Sequence, residues 1–300
     1  MDLIINLDKP AGITSQEASS RIKRITKARR AGHTGTLDPM ATGVLLVCIN
    51  RATRLASYFS LLDKEYEAVM KLGETTDTQD STGRVLNRTE DFDIRREEIE
   101  GVINSFKGKI LQRPPMFSAI KYKGRALYRY AREGKEIERG YREVTLHDIR
   151  LLDVTLPFVR FVVVCSKGTY IRTLCNDIGE KLGVGAHLYN LKRRAIGPFH
   201  IKDSITFDEL ECMCKMGCKG KGIYEMGDAL SFMPELIVSD KQARDISNGC
   251  PLRISDVSPP ADDMRLSMGI RIKSRDGRLL AIGSLFEAKG LIKMDVVFGA

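Results

Sequence analysis

Residues 32–47 read GHTGTLDPMATGVLLV, glycines, threonines and one proline carrying a single carboxylate, Asp38, straight into an apolar run. A charge beside a buried strand is costly unless a cation or hydrogen bonds hold it. Asp38 therefore calls for a partner elsewhere in the chain, one expected to keep its pKa low. The competing reading is a plain turn, in which Asp-Pro breaks the chain direction and the carboxylate caps the backbone of Met40 or Ala41. The loop alone accommodates either.

Working outward, residues 3–7 (LIINL) form a short apolar strand ended by Lys9-Pro10-Ala11-Gly12, and Thr14-Ser15 can cap an amphipathic helix over 16–26. Downstream, 44–49 reads as a buried strand, 52–62 as a helix and 64–72 as an alternating strand. Residues 158–165 form another strand, SKGTYIR leads into a helix over 173–182, and 188–196 returns as a strand. The mixture predicts an α+β fold, a mixed and mainly antiparallel sheet with flanking helices.

Between 91 and 149 the apolar density falls, and the segment KGKILQRPPMFSAIKYKGRALYRYAREGKEIERGYRE interleaves tyrosines with Lys and Arg. Such a stretch suits an RNA-gripping arm, where cations meet phosphates and rings stack on unpaired bases; an ordinary solvated helix over 125–136 fits the spacing as well. Residues 212–222, CMCKMGCKGKG, are small and basic and read as a flexible linker. After Pro234, short strand-like pieces separated by Asn248-Gly249, Pro259-Pro260 and Asp276-Gly277 predict a small β-rich unit from about residue 233.

The formal charge of +9 favours polyanionic partners, nucleic acid first. Seven scattered cysteines lack the spacing of a disulfide scaffold and fit a reducing cytosol. With no signal peptide and no long apolar run, a cytoplasmic protein without membrane attachment is expected. Cys212, Cys214 and Cys218 have no second ligand pair and no nearby histidine for zinc. The run from Asp77 fails as a calcium loop, since Thr82 and Arg88 occupy the glycine and glutamate places. Neither a phosphate-cradling G-x4-G-K-[ST] nor a G-x-G-x-x-G exists, so ATP and NAD are not implied.

GHTGTLDPMATGVLLVCINRATRL, with KPAGITS at 9–15, DKEYEA at 63–68, RPPMFSAIKYKGRALYRYAREG at 113–134 and SKGTYIRTLCNDIG at 166–179, resembles the TruB family of tRNA pseudouridine synthases up to about residue 200. The tail from Pro234 is similar to the PUA domain, a β-barrel-like RNA-binding module. The resemblance implies a catalytic domain over 1–232 with a thumb insertion at about 113–143, and a PUA-like domain over 233–300. It implies isomerisation of uridine at position 55 in the tRNA T-loop without a cofactor or metal, by a monomer that needs no protein partner. A non-catalytic tRNA-binding or folding module and a guide-RNA-dependent synthase are the alternatives; the long thumb resembles the stand-alone bacterial form.

By the same resemblance Asp38 is the catalytic aspartate, acting as nucleophile or by removing a sugar proton, and Arg172 is its countercharge. Tyr66 is expected to stack on the flipped uracil and to serve the later proton abstraction at C5. Tyr170 lies beside the pair, Leu191 closes the base pocket, His33 meets the RNA where the base has left, and Lys9 belongs to the substrate-binding set.

Overall fold

The computed structural model describes residues 1–218, 220–257 and 268–298. Ten strands of the described residues form one sheet, whose main path runs Ile223–Glu225, Leu3–Lys9 (β1), Thr42–Ile49 (β3), Ala186–Ile196, Lys64–Leu72 (β4), Phe158–Cys165, Arg142–Thr155, Gly108–Gln112. Ala31–His33 (β2) pairs with β3 off this path. The pairings are antiparallel except that of β3 with Ala186–Ile196, which sets these two strands side by side in the centre of the sheet.

Apolar alternation decides which face is covered. Leu3, Ile5 and Leu7 of β1 and Tyr66, Ala68 and Met70 of β4 point into one large core, closed by helix α1 (Ser15–Ile25) and the helices Arg96–Asn104 and Ile171–Lys181. Ile4, Val44, Leu46 and Cys48 point the other way, onto Leu55, Phe59 and residues of the C-terminal unit such as Leu279, Ile282 and Phe298. Five described strands make that unit, in the order Glu235–Ile237, Ile270–Lys273, Leu279–Phe286, Leu291–Val297, Leu252–Arg253. It has a core of its own around Leu236, Ile246, Ile272 and Ile292, as the β-rich reading expects.

Several local expectations change. The helix expected over 52–62 is a 3-10 turn, Asn50–Leu55, followed by a short α-helix, Ala56–Leu61. The helix expected over 125–136 shrinks to Leu127–Arg132, because Lys123 and Gly124 both take positive φ and fold Lys121–Tyr122 back on Arg125–Ala126 as a hairpin. The cysteine-rich stretch begins inside a helix, Phe207–Met216, which Thr206 and Glu209 start with a reciprocal capping box. Asn248-Gly249 ends a helix, Asp240–Ser247, rather than a strand. Asp276-Gly277 turns the hairpin between Ile270–Lys273 and Leu279–Phe286, while Pro259-Pro260 lies outside the described residues. No helix among the described residues is long and apolar enough to cross a membrane.

Candidate active site

Asp38 lies in the loop between β2 and β3, and backbone bonds hold that loop from all sides. Ser15 Oγ accepts from the Leu37 N–H at 2.8 Å and donates to the Leu37 carbonyl at 2.9 Å. The Pro39 carbonyl accepts from Gly12 N–H at 2.8 Å and from Lys9 Nζ at 3.4 Å. Arg193, 1% exposed, donates from Nε to the Val44 carbonyl at 2.7 Å and from Nη2 to Gly35 at 3.1 Å. The turn itself is closed by the Ala41 N–H on the Asp38 main-chain carbonyl at 3.0 Å. The side-chain carboxylate is therefore not spent on capping the turn.

It faces Arg172 instead. Arg172 Nε lies 3.0 Å from Asp38 Oδ2 and Nη2 lies 3.2 Å from Oδ1, a two-pronged pair. The guanidinium is shared further: Nη1 lies 3.5 Å from Asp80 Oδ2 and donates to the Thr78 carbonyl at 3.2 Å, and Nη2 donates to the Phe117 carbonyl at 2.8 Å. One cation thus joins the loop of Asp38, the 78–80 turn and the root of the basic arm. Asp80 is fixed in turn by hydroxyls, Thr78 Oγ1 at 2.7 Å and Thr82 Oγ1 at 2.6 Å. The acidic run that cannot be a calcium loop places a second carboxylate on the same arginine.

Burial pushes the Asp38 carboxyl above its ordinary value; the Arg172 guanidinium opposes this, the Asp80 carboxylate adds to it, and the Lys9 ammonium again opposes. The expectation of a lowered pKa is overturned here, because two carboxylates share one cation at a site where desolvation outweighs the pairing.

Tyr66 stands on β4 opposite Arg193, its ring 6.0 Å from the Arg193 guanidinium carbon. Burial raises its phenol and Arg193 works against the rise. Leu191, two residues before Arg193, is buried in the cluster that holds Tyr66, Leu37 and Ala41. Tyr170 precedes the first turn of Ile171–Lys181, where its N–H donates to Gln112 Oε1 at 3.0 Å and its carbonyl accepts from Gln112 Nε2 at 3.2 Å. Burial raises its phenol too. Both phenols sense the charge of Asp38, which assembles Asp38, Tyr66, Tyr170 and Arg172 in one neighbourhood.

His33 ends β2; its Nδ1 is buried without a hydrogen-bond partner, and burial together with Arg193 lowers its pKa. Lys9 differs from its expected use. It is fully buried, its ammonium donates to the carbonyls of Pro10 at 2.7 Å, Ile13 at 2.8 Å and Pro39, and burial and Arg193 bring its pKa down to about 8. With its three N–H bonds directed at the scaffold, it braces the loop instead of reaching for a substrate.

The basic arm leaves the sheet after Gln112 and returns at Arg142, which pair across neighbouring strands. Its tyrosines already lie near cations of their own: Arg125 sits 4.9 Å from the Tyr130 ring and Arg132 5.4 Å from that of Tyr128. Tyr141 is 67% exposed.

The model of the TruB family pseudouridylate synthase N-terminal domain matches residues 23–171, and that of the tRNA pseudouridylate synthase B C-terminal domain matches 172–222. The tRNA pseudouridine synthase B of Clostridium kluyveri is 44% identical over 253 residues, 84% of this chain and 86% of the relative. The chain belongs to the TruB family of pseudouridylate synthases. The tRNA pseudouridine synthase B of Geotalea uraniireducens, 42% identical, extends the match to 94% of this chain and 91% of its own. The crystal structure of an archaeal box H/ACA sRNP Nop10-Cbf5 complex superposes with a TM-score of 0.76 at 28% identity, over 99% of this chain and 86% of that one. The two TruB models meet between Ile171 and Arg172, within the first turn of Ile171–Lys181. That border divides the match and not the fold.

Four site residues escape reading from sequence: Ser15, Asp80, Gln112 and Arg193. Ser15 had a visible part as a helix cap, and Asp80 lay in a run already noticed for its acids. Gln112 and Arg193 carry no local signal at all, since what they bond lies 58 and 149 residues away.

Proposed function

We propose that this enzyme converts uridine to pseudouridine at position 55, in the T-loop of tRNA, working in the cytoplasm as a monomer without guide RNA or partner protein. The observation that carries the reading is the two-pronged Asp38–Arg172 pair at the family's signature loop. The TruB-type relatives at 42–44% identity favour the stand-alone form over the ribonucleoprotein one, to which the likeness is 28%. A catalytic unit over 1–232, with an arm at about 113–143 that clamps the RNA, and a PUA-like unit over 233–300 divide the work.

A uridine inside a folded loop must leave its stack to reach a pocket, at about a few kcal/mol. His33, with its unpaired Nδ1 at the end of β2, suits contact with the RNA from which the base has gone. Asp38 then acts as the anion. It either attacks C1′, forming an ester that breaks again when C5 takes its place, or removes a sugar proton that is later returned; in both routes the N1–C1′ bond breaks, the uracil turns, C5 bonds to C1′, the C5 proton leaves and N1 takes up a proton. The product is an isomer of the substrate, with the C5 proton exchanged for one at N1, so no oxidant or group donor is required. Arg172 keeps the carboxylate in line, and burial holds the Tyr66 phenol protonated, which suits stacking by its ring; Leu191 closes the apolar side.

Mapping pseudouridine in a tRNA transcript after incubation with the purified protein alone tests the assignment. Modification at position 55, abolished when that uridine is replaced by cytidine, is the expected result. Modification at another uridine would overturn the site preference, and a requirement for added RNA would overturn the stand-alone reading.

A further inference from the structure

Six cations, Arg21, Lys23, Arg24, Lys27, Arg29 and Arg30, fall in ten residues, with no Asp or Glu anywhere from 18 to 37. The fold gathers three of them. A cleft of about 460 Å³ between α1 and β2 is lined by Lys23, Arg29 and Arg30 together with Ser20, Gly32 and Thr53. All three cations are exposed, and among the described residues none pairs with a carboxylate. Uncompensated like charges held close together are unfavourable in the free protein, and a polyanion relieves them.

The loop that carries two of these cations is built to be rigid. Asn50, in the left-handed region at φ 51°, accepts the N–H groups of Arg29 and Arg30 on its Oδ1 at 2.8 and 3.3 Å, and its own N–H donates to the Arg30 carbonyl at 2.9 Å. The cleft also has a direction. Gly32 at its edge is followed by His33, with its unpartnered Nδ1, and then by the loop of Asp38. The cleft therefore lies beside the end of β3, where Ala31 pairs with Ile49, and His33 stands between it and the loop of Asp38 along the chain.

We propose that this cleft is a second anchor for the substrate, binding consecutive backbone phosphates of the tRNA outside the pocket that holds the target base. The inference rests on the tRNA reading above. Spread, exposed cations on a fixed loop suit a chain of phosphates, which they neutralise without reading sequence. The cleft thus sets affinity and register, while the pocket around Asp38 selects the base.

The test measures binding of labelled tRNA to the full-length protein across a range of salt, comparing wild type with Lys23→Gln/Arg29→Gln/Arg30→Gln. The expected result is a Kd roughly tenfold higher or more and a log-log salt slope shallower by about 2 units, since each phosphate contact contributes about 0.7 to 0.9. Lys23→Glu, a single change at an exposed helix position, gives the same direction if the triple variant folds poorly. An unchanged Kd and slope in folded variants would overturn the proposal and leave the cleft to a partner other than RNA. Turnover of the same tRNA by wild type separates the two claims: turnover with unaltered variant binding sinks the cleft alone, whereas tight binding without turnover sinks the functional reading.

Discussion

Removing the guanidinium of Arg172 while leaving both of its carboxylates in place should cost about two orders of magnitude in turnover. Arg172 is 6% exposed in its side chain and Asp38 28%, so the pair is largely, but not wholly, out of water. Stranding one member of a buried pair costs about 3–5 kcal/mol, and the partly open edge of Asp38 argues for the low end. If that cost falls on the ionised form needed for reaction, about 3 kcal/mol becomes roughly a hundredfold in rate. The pH profile should move with it. Asp38 is already above its ordinary value through burial, and without Arg172 the charge of Asp80 is opposed by the Lys9 ammonium alone. The reactive anion then forms only at higher pH, so the acid limb of Arg172→Met shifts upward and part of the lost rate returns as pH rises. Single-turnover rates on tRNA across the pH range, alongside a melting curve, supply the assay. A folded variant with rates within about threefold of wild type and an unmoved acid limb would refute the reasoning.

Other consequences are simpler. Ser15→Ala removes both bonds that clamp Leu37, so kcat should fall while KM changes little, with about 1–3 kcal/mol of stability lost to unpaired buried backbone groups; equal kcat would show the clamp to be dispensable. Gly43 has φ +100°, and an added Cβ would stand 2.2 Å from the Arg193 carbonyl, where β3 and Ala186–Ile196 meet. Gly43→Ala should therefore lower the melting temperature by several degrees, at about 2–4 °C per kcal/mol, and an unshifted melt would contradict the close approach. Asp38→Asn should leave the fold intact, because Arg172 retains Asp80 and the Thr78 and Phe117 carbonyls. In wild type the fold prefers the protonated Asp38 carboxyl: that contribution is complete below about pH 4 and is lost as pH rises through the folded value. The stability of Asp38→Asn should fall less than that of wild type across this window, and denaturant titrations at several pH values that gave parallel curves would count against it.

The legible parts of this protein are those in which one residue's neighbours in sequence are also its neighbours in space. Alternation in 64–72 marks β4, and the lone carboxylate between a turn and an apolar run singles out Asp38. The buried carboxylate even announced the need for a cation. What could not be read is the division of that cation's work. Nothing local to Asp80 or Phe117 says that both meet Arg172, and the direction of the Asp38 shift follows from that sharing. The inward turn of Lys9 is not legible either, since one of the three carbonyls that draw it inside, that of Pro39, lies 30 residues away. The short helix in the arm has a local cause: the Lys123-Gly124 turn pairs Arg125 and Ala126 with Tyr122 and Lys121, so no helix can start before Leu127.

The most direct test of the central claim, that Asp38 drives isomerisation of uridine within tRNA, is the release of tritium from transcripts labelled at C5 of uridine. Wild type should release it with neither cofactor nor metal added, and Asp38→Asn should bind the same tRNA and release none. Release by Asp38→Asn at the wild-type rate, or none by a wild-type protein that demonstrably binds tRNA, would contradict the account.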